Sequence, residues 1–535
     1  MIATYGDVWT RVASAVPDRT AIIAGNLELT YAEFDEQASR FADLLTNRGI
    51  GHRSPVAVLM YNRLEYMIAL FATLKIGATI VPINFRYGGH EVARLLTDAQ
   101  SQALIFPTSL EPTVVDAIER IDQSLTLVRV DDEPESLPRL DAIGFDDAPA
   151  TRTDRSGAAP LDGELYLFTG GTTGHPKAVV WPIDALLAIQ MMPIYTTVGL
   201  DVPSSVEEMV AVAAALGGDA PVVLPLAPFM HGTALFNSMN AFVLGGTLVI
   251  LPSSRFDAHL AVRTITGCSV TRLVVAGDSV AIPLLDAADE LGIGRLPSLR
   301  TAISSGMRFS DAAKARLHAL GSVSIADLLA ATEGGPFAIA TSTSAGDLPA
   351  RLALLPDALV LDESFNEIHD QPDRIGLVAY RGTLPRGYLN DEEKSAATYP
   401  VIHGVRHLIP GDYVRVLADG YIELLGRGSS VINTGGEKVY PAEVEEALLH
   451  HPAVTDAVVF GLPDPRWGEV VSAIVAAPPG TVTEQDLLDH VAGLLAGYKK
   501  PKRIVVREDI ERSPSGKVDM AQLRRGFPDA PTETS

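Results

Sequence analysis

Apolar and polar positions alternate between two periods along the first half of the chain. Apolar residues at helical spacing in Tyr31–Leu45 and Leu64–Ile76 predict helices, and the unbroken run Val56–Met60 predicts a buried strand. Similar short runs predict further strands at Ile80–Ile83, Ala103–Ile105, Leu127–Val130, Val222–Leu224, Thr247–Leu251 and Arg272–Val275. Because strands that alternate with helices form parallel sheets covered by helices, we predict two doubly wound α/β subdomains.

The pattern changes twice in the second half. Short strands and turns between about 359 and 425 predict a small β-rich subdomain, and the chain beyond Gly426 reads as a smaller α+β domain. The run Gly-Arg-Gly-Ser-Ser at 426–430 predicts a flexible hinge. We therefore predict an N-terminal domain over 1–425, a C-terminal domain over 431–527 and a disordered tail over 528–535.

Composition narrows the class of partner. The 535 residues carry a formal net charge of −24, which argues against nucleic acid because phosphate backbones need clustered cations. No apolar run reaches the roughly 18 residues of a membrane span, and the N-terminus lacks a signal-peptide pattern. The single cysteine, Cys268, cannot form an internal disulfide. We expect a soluble cytoplasmic protein, and a homodimer is left open.

One loop carries the strongest chemical signal. An apolar strand, Leu165–Phe168, runs into a segment of glycines, threonines and a lysine: Thr169, Gly170, Gly171, Thr172, Thr173, Gly174, His175, Pro176 and Lys177. Glycines let backbone N–H groups approach an anion, and the hydroxyls and the lysine add donors and charge. The pattern suits a polyphosphate, yet His175 and Pro176 separate Gly174 from the lysine, which excludes a Walker loop.

This loop resembles the phosphate loop of the adenylate-forming superfamily, which includes acyl-CoA synthetases, adenylation domains of peptide synthetases and luciferases. The resemblance continues in order along the chain, through Pro228–Gly232, Ser304–Met307, Asp327–Glu333, Gly387–Asn390, Pro410–Asp412, Gly426–Arg427, Gly435–Glu445, Tyr498–Pro501 and Pro514–Lys517. It implies that ATP and a carboxylic acid form an acyl-adenylate and pyrophosphate, and that a thiol such as CoA then takes the acyl group. It also implies that residues 1–425 are the adenylating domain and that residues 431–527 are a mobile lid domain.

The resemblance also implies roles for individual residues. Lys517 would bridge carboxylate and α-phosphate, and Glu333, beside Thr332, would bind the Mg²⁺ that accompanies ATP. His231 would line the acyl or pantetheine path. The remaining implied contacts are to the nucleotide and CoA: Ser305, Gly306, Met307 and Asp327 to the nucleotide, Asp412 and Arg427 to the ribose, and Gly435 and Gly436 to pantetheine. Lys499, Lys500 and Lys502 form a basic patch that either meets CoA phosphates or is a solvated face.

Gly170 and Ala178 differ from the family's usual serine and glycine but stay small, and three further positions also depart from the family pattern. Leu329 replaces an aromatic residue, Ala330 replaces a glycine, and Ser429 stands where the hinge usually has Asp or Lys. This variant resembles an actinobacterial branch that activates fatty and steroid side-chain acids. The segment after Pro228 has no acidic residue to pair with a substrate ammonium, which favours an apolar acid.

The leading hypothesis is an AMP-forming acyl-CoA synthetase that acts on an apolar acid. A second hypothesis keeps adenylation and changes the acceptor to an amine or to a carrier-protein thiol. A third, supported by the three departures, is a non-catalytic nucleotide- or acyl-binding homologue. Retention of Lys177, Glu333, Asp412, Arg427 and Lys517 argues against this last hypothesis.

Overall fold

The computed structural model describes most of the chain. The described residues are 3–133, 140–149, 162–169, 176–434, 437–464, 468–495, 497–512, 518–525 and 527. Among them, contacts group the chain into two compact units, residues 1–350 with 381–408 and residues 351–380 with 409–535. The predicted boundary at 426–430 falls inside the second unit and stays a prediction.

The strands follow the apolar runs of the sequence closely. In chain order they are β1 (Thr20–Ala24), β2 (Leu27–Thr30), β3 (Pro55–Leu59), β4 (Thr79–Ile83), β5 (Ala103–Pro107), β6 (Thr126–Val130), β7 (Ile143–Gly144), β8 (Glu164–Thr169), β9 (Lys177–Pro182), β10 (Val222–Pro225), β11 (Thr247–Ile250), β12 (Arg272–Val275), β13 (Thr301–Ser305), β14 (Ser324–Ala331), β15 (Gly334–Ser342), β16 (Leu352–Leu354), β17 (Ala358–Leu361), β18 (Ile375–Tyr380), β19 (Gly387–Tyr388), β20 (Val401–Ile402), β21 (Val405–Arg406), β22 (Asp412–Val416), β23 (Tyr421–Arg427), β24 (Ile432–Thr434), β25 (Glu437–Val439), β26 (Asp456–Asp464), β27 (Gly468–Ala476) and β28 (Arg503–Arg507).

The helices include those predicted at Tyr31–Leu45 and Leu64–Ile76. They are α1 (Tyr5–Ala15), α2 (Tyr31–Asn47), α3 (Leu64–Lys75), α4 (Gly89–Asp98), α5 (Glu111–Ile118), α6 (Ile183–Thr196), α7 (Val206–Leu216), α8 (Gly232–Val243), α9 (Ala258–Gly267), α10 (Asp278–Glu290), α11 (Asp311–Ala319), α12 (Glu392–Thr398), α13 (Pro441–Leu449), α14 (Glu484–Leu494) and α15 (Met520–Arg525). Local chemistry sets several starts: the Thr30 side chain accepts from the Glu33 backbone N–H, and Glu33 accepts from the Thr30 backbone N–H, so α2 opens with a capping box.

The first unit contains two largely parallel sheets with antiparallel edges. One has the strand order β15-β14-β13-β12-β10-β11-β1-β2, and the other β19-β9-β8-β4-β3-β5-β6-β7. In the first, β2 and β15 are antiparallel to their neighbours, and in the second β9 and β19 are. Strands such as β3, β4, β5 and β12 are almost wholly buried, as expected for sheets covered on both faces. The predicted α/β class is confirmed.

The second unit combines the β-rich segment and the C-terminal segment. The β-rich segment has strand order β17-β18-β22-β23-β16, and the C-terminal sheet has order β25-β24-β27-β26 with β28 beside β27. Helices α13 and α14 pack with this second sheet around a core that includes Val444, Leu448, Leu487 and Val491. The smaller α+β domain predicted from the sequence is therefore present.

None of the helices in the described ranges combines the length and apolar character that a bilayer span requires.

Candidate active site

The predicted phosphate loop closes a two-stranded hairpin in the first unit. Strands β8 and β9 pair antiparallel, with Thr169 opposite Lys177, and the Thr169 hydroxyl donates to the Lys177 carbonyl oxygen over 3.3 Å. The loop itself, from Gly170 through Gly171, Thr172, Thr173 and Gly174 to His175, lies outside the described residues. The structure thus fixes the two residues that flank the loop.

Lys177 is paired with a carboxylate that the sequence analysis did not single out. Its ammonium contacts the Asp391 carboxylate, whose other oxygen accepts from the Lys394 backbone N–H at the start of α12. Strand β19 brings Asp391 there, because Tyr388 pairs with Val179 of β9. The pairing of β19 with β9 therefore places the Asp391 carboxylate as a counter-ion beside Lys177, the predicted phosphate-binding lysine.

Glu333 is held by two tyrosines. It follows β14 in the turn to β15 and is only 9% exposed. The Tyr388 hydroxyl donates to Glu333 Oε1 over 2.7 Å, and the Tyr399 hydroxyl donates to the Glu333 carbonyl oxygen over 3.0 Å. Burial, with a smaller contribution from the Glu333 charge, raises the pKa of Tyr399, so this phenol keeps its proton at neutral pH.

A further hydrogen bond joins the hairpin to the turn that carries Glu333. Trp181 of β9 donates its indole N–H to the Thr332 carbonyl oxygen over 2.9 Å. Together with Tyr388 of β19, it links the edge of one sheet to the end of β14 in the other. The structure therefore brings Thr169, Lys177, Thr332 and Glu333 into one region of the first unit.

Replacing Tyr388 by phenylalanine tests this link. We expect acyl-adenylate formation to slow about tenfold, because a hydrogen bond to a charged group contributes roughly 1.5–3 kcal/mol and its loss frees the Glu333 carboxylate to turn. The measurement is the initial rate of acid-dependent pyrophosphate release across a Mg²⁺ titration. Tyr61→Phe, which removes a hydroxyl bound to Asp132 instead, is the matched control and should keep the parental rate. A parental Mg²⁺ dependence in Tyr388→Phe would contradict the positioning role.

Ser305 ends β13, and Gly306 and Met307 form the turn that follows it. Ser305 is 9% exposed, and Gly306 has φ +81°, which suits glycine. The turn is pressed against Gly277, where an added Cβ would lie 2.1 Å from the Arg308 carbonyl oxygen. Gly277 donates its backbone N–H to Ser304 Oγ over 3.3 Å, so the end of β12 fixes the predicted nucleotide-contacting turn.

Gly277→Ala is expected to destabilise this turn. Gly277 combines φ +53° with the backbone clash, so we expect a loss of at least about 2 kcal/mol and a lower melting temperature. Gly294→Ala is the control, because a Cβ at Gly294 meets nothing within 4 Å. Thermal melts with and without ATP measure both effects. Equal melting temperatures for the two variants would show that the turn absorbs the extra methyl group.

Asp327 lies in the same sheet, where its carboxylate pairs with a lysine. Lys314 of α11 donates to Asp327 Oδ2 over 2.8 Å, and Lys314 is only 5% exposed. Burial raises the pKa of Asp327, and the nearby ammonium opposes that shift. The predicted nucleotide contact of Asp327 remains a prediction, and the structure adds that this carboxylate also anchors α11 to β14.

His231 caps the start of α8. Its backbone N–H donates to the Pro228 carbonyl oxygen over 3.0 Å, and its side chain is half-buried. A Cβ on the next residue, Gly232, would lie 3.3 Å from Leu167 of β8, so this helix start packs against the strand that leads into the phosphate loop. Asn62, which the sequence analysis did not single out, holds the segment by accepting from the Phe229 backbone N–H over 2.7 Å.

The second unit holds the predicted ribose pair. Asp412 of β22 lies opposite Arg427 of β23, and Arg427 Nε donates to Asp412 Oδ1 over 3.3 Å.

Lys499 of the predicted basic patch pairs with both oxygens of Glu443 at 2.9 Å and is largely buried. Gly435, Gly436 and Lys517 lie outside the described residues, and so does the side chain of Ser429.

Two stretches of the chain match known families. Residues 9–389 match the family described as AMP-binding enzyme, and residues 443–517 match the AMP-binding enzyme C-terminal domain. The chain belongs to the AMP-binding enzyme family. The resemblance to the adenylate-forming superfamily that the sequence indicates is therefore confirmed.

Similar proteins cover nearly the whole of this AMP-binding enzyme. A Mycobacterium marinum protein named medium/long-chain-fatty-acid–CoA/3-oxocholest-4-en-26-oate–CoA ligase is 35% identical over 526 residues, which span 96% of this chain and 94% of the relative. Among solved structures, the anthranilate CoA ligase AuaEII with anthranoyl-AMP matches with a TM-score of 0.82 at 22% identity, covering 98% of this chain and 97% of the other. The amide bond synthetase McbA from Marinactinospora thermotolerans matches with a TM-score of 0.80 at 23% identity, covering 98% and 100%. These two structural likenesses establish the fold.

Proposed function

We propose that this AMP-binding enzyme is an acyl-CoA synthetase. It joins an apolar carboxylic acid to the AMP part of ATP, releases pyrophosphate, and then transfers the acyl group to CoA with release of AMP. The observation that carries the proposal is the linkage of the Lys177 hairpin to Glu333 through Trp181 and Tyr388. The Mycobacterium marinum relative, named as a ligase of fatty acids and a steroid acid with CoA, supports the same reaction class.

The first half-reaction needs positive charge because two anions must meet. A carboxylate oxygen attacks the α-phosphate, a P–O bond forms, and the bond to pyrophosphate breaks. Lys177 exchanges Asp391 for a phosphate oxygen when ATP enters, and Lys517 bridges the carboxylate and the α-phosphate. Asp412 and Arg427 hold the ribose hydroxyls, and Asp327 with the Ser305–Met307 turn contacts the rest of the nucleotide.

Glu333 fits a Mg²⁺ site that ATP completes. The described part of the chain contains no cluster of three or more His, Cys, Asp or Glu side chains suited to a metal ion. Mg²⁺ in such enzymes uses one or two carboxylates together with substrate phosphates, and Glu333 supplies one carboxylate oriented by Tyr388. Bound there, the ion would neutralise phosphate charge.

In the second half-reaction the CoA thiol attacks the acyl carbonyl carbon, a C–S bond forms, and AMP leaves. Gly435 and Gly436 leave room for pantetheine, and the C-terminal domain turns about the 426–430 hinge between the two half-reactions.

We also propose that the enzyme works in the cytoplasm. As a separate proposal, the enzyme forms a homodimer, and the molar mass measured by light scattering in solution would test this.

The acid is apolar, of the fatty or steroid side-chain class. Phe229 and Met230 are buried ahead of α8, and no acidic residue occurs between Pro228 and Phe236 to pair with a substrate ammonium. His231 lines the acyl or pantetheine path at the start of the same helix.

Mass spectrometry tests the acceptor and the acid together. The protein is incubated with Mg-ATP and a panel of fatty, aryl, alicyclic and steroid side-chain acids, with and without CoA. Acyl-CoA that appears only when CoA is present supports the proposal and names the acid class. Acyl-adenylate that CoA does not consume points to an amine or a carrier-protein thiol, and the absence of any adenylate supports a non-catalytic homologue.

A further inference from the structure

Arg272 is a buried cation with no carboxylate partner in the part of the chain that the structure describes. It opens β12 and is only 3% exposed. Nη2 donates to Thr197 Oγ1 over 2.9 Å, while Nε is buried without an acceptor among the described residues. Burial alone lowers the pKa of Arg272 to about 10. An unpaired buried charge is costly, so such a group calls for an acceptor that the described side chains do not supply.

A second donor without a partner lies on the helix end that Arg272 contacts. Tyr195 is two residues before Thr197 at the end of α6, and its hydroxyl is buried without a hydrogen-bond partner in the described ranges. Burial raises the pKa of Tyr195, so the phenol keeps its proton and can donate. Guanidinium N–H and phenol O–H groups share one preferred partner, which is an acceptor oxygen.

Arg272 lies on the face of the sheet that carries α8. Side chains alternate along a strand, so Arg272 faces the same side as Val274, which packs on Ala241 of α8. Arg272 lies opposite Thr301, and Val275 lies opposite Ser304 at the end of β13. Three residues of strand span about 10 Å, so Arg272 lies about that far along the sheet from Val275, whose neighbour Ser304 precedes the proposed nucleotide-contacting turn.

We propose that Arg272, with Thr197 and Tyr195, binds an acceptor oxygen at the far end of the acyl group. The inference rests on the proposed function, and it narrows the substrate class to acids whose apolar body carries a second carboxylate or a carbonyl oxygen distant from the reacting carboxylate. Charge-assisted hydrogen bonds to such an oxygen gain strength in a dry interior, and they satisfy the unused donors of Arg272 and Tyr195.

Matched acids test this inference. Each acid of a series of increasing chain length is supplied in three forms, with a terminal methyl, a terminal methyl ketone or a terminal carboxylate, and kcat/KM for acyl-CoA formation is compared within each length. We expect a length at which an oxygen-bearing form exceeds the methyl form by about tenfold or more. The ketone and carboxylate arms separate recognition of a neutral oxygen from recognition of an anion.

Variants assign the preference to these residues. Arg272→Met should lower the oxygenated-to-methyl ratio of kcat/KM at least about tenfold, and Tyr195→Phe should lower it less. Arg300→Met, at an exposed arginine, should keep the parental ratio. If Arg272→Met does not fold, the ratios measured for Tyr195→Phe and Thr197→Val decide the test. This inference alone is overturned if those variants keep the parental ratio, or if the parent enzyme turns over the methyl acids as well as the oxygen-bearing acids at every length. The proposed function is overturned if no acid yields acyl-CoA.

Discussion

Lys517→Ala is expected to reduce acyl-adenylate formation by at least about 100-fold. The barrier of this half-reaction comes mainly from bringing a carboxylate against an anionic phosphate, and removing one preorganised electrostatic group from such a site costs about 10²–10³ in rate. The assignment comes from Pro514-Ser515-Gly516-Lys517, whose order resembles the end of the family's C-terminal domain. Acid-dependent exchange of labelled pyrophosphate into ATP measures this step.

The second half-reaction is the internal control for that variant. Acyl-adenylate supplied ready-made needs no attack on the α-phosphate, so Lys517→Ala should convert it to acyl-CoA at close to the parental rate. A variant that has lost both reactions has lost its fold or its CoA site. A parental rate of pyrophosphate exchange in Lys517→Ala would show that this lysine does not act in acyl-adenylate formation.

Glu333→Gln is the second large effect. Glutamine keeps an acceptor oxygen for the Tyr388 hydroxyl, so the turn should hold its shape while the negative charge is lost. We expect adenylation at least about 100-fold slower, together with a much weaker dependence on Mg²⁺, because a neutral amide is a poor ligand for a hard cation. The measurement is pyrophosphate exchange across a Mg²⁺ titration.

Glu393→Gln is the matched control for Glu333→Gln. Glu393 is exposed in the first turn of α12, close in sequence to the Tyr388 segment but without its contact to Glu333. It should keep both the rate and the Mg²⁺ dependence of the parent. If Glu333→Gln retained the parental Mg²⁺ dependence, another group would have to bind the ion.

The periodicity of the sequence was sufficient for several elements of the first unit. The predicted strand Arg272–Val275 has the observed bounds, and the helix predicted over Leu64–Ile76 ends one residue earlier, at Lys75. Both belong to α/β layers of the first unit, where buried strands show continuous apolar runs and the covering helices show helical spacing. The grouping of the β-rich segment with the C-terminal segment could not be predicted in the same way, since it depends on contacts between distant residues such as Arg415 and Glu443.

The site shows the same limit at the level of single residues. Motif order singled out Lys177 and Glu333, which lie on the hairpin and in the turn after β14, yet it assigned no role to Tyr388 or Asp391. Gly387–Asn390 was part of the resemblance, but only the pairing of β19 with β9 shows which side chains it delivers to the site. Partners that are 55 or 214 residues apart leave no periodic signal in one sequence.

Arg272 illustrates a different limit. As the first residue of an apolar strand it reads as an ordinary strand boundary, because arginine is mostly found exposed at such ends. Only the three-dimensional structure shows that it is buried with an unused donor.

The most direct test of the account follows the oxygen atoms of the acid. An acid that the enzyme accepts as a substrate is labelled with oxygen-18 at both carboxylate oxygens and incubated with Mg-ATP and CoA. The nucleotide, phosphate and acyl-CoA products are then analysed by mass spectrometry. Acyl-adenylate formation predicts one labelled oxygen in AMP, one in the acyl-CoA carbonyl and none in pyrophosphate, since the attacking oxygen stays on the α-phosphate when the thiol displaces AMP. Unlabelled ADP alongside labelled inorganic phosphate would contradict it, because the acid would then have been activated at the terminal phosphate.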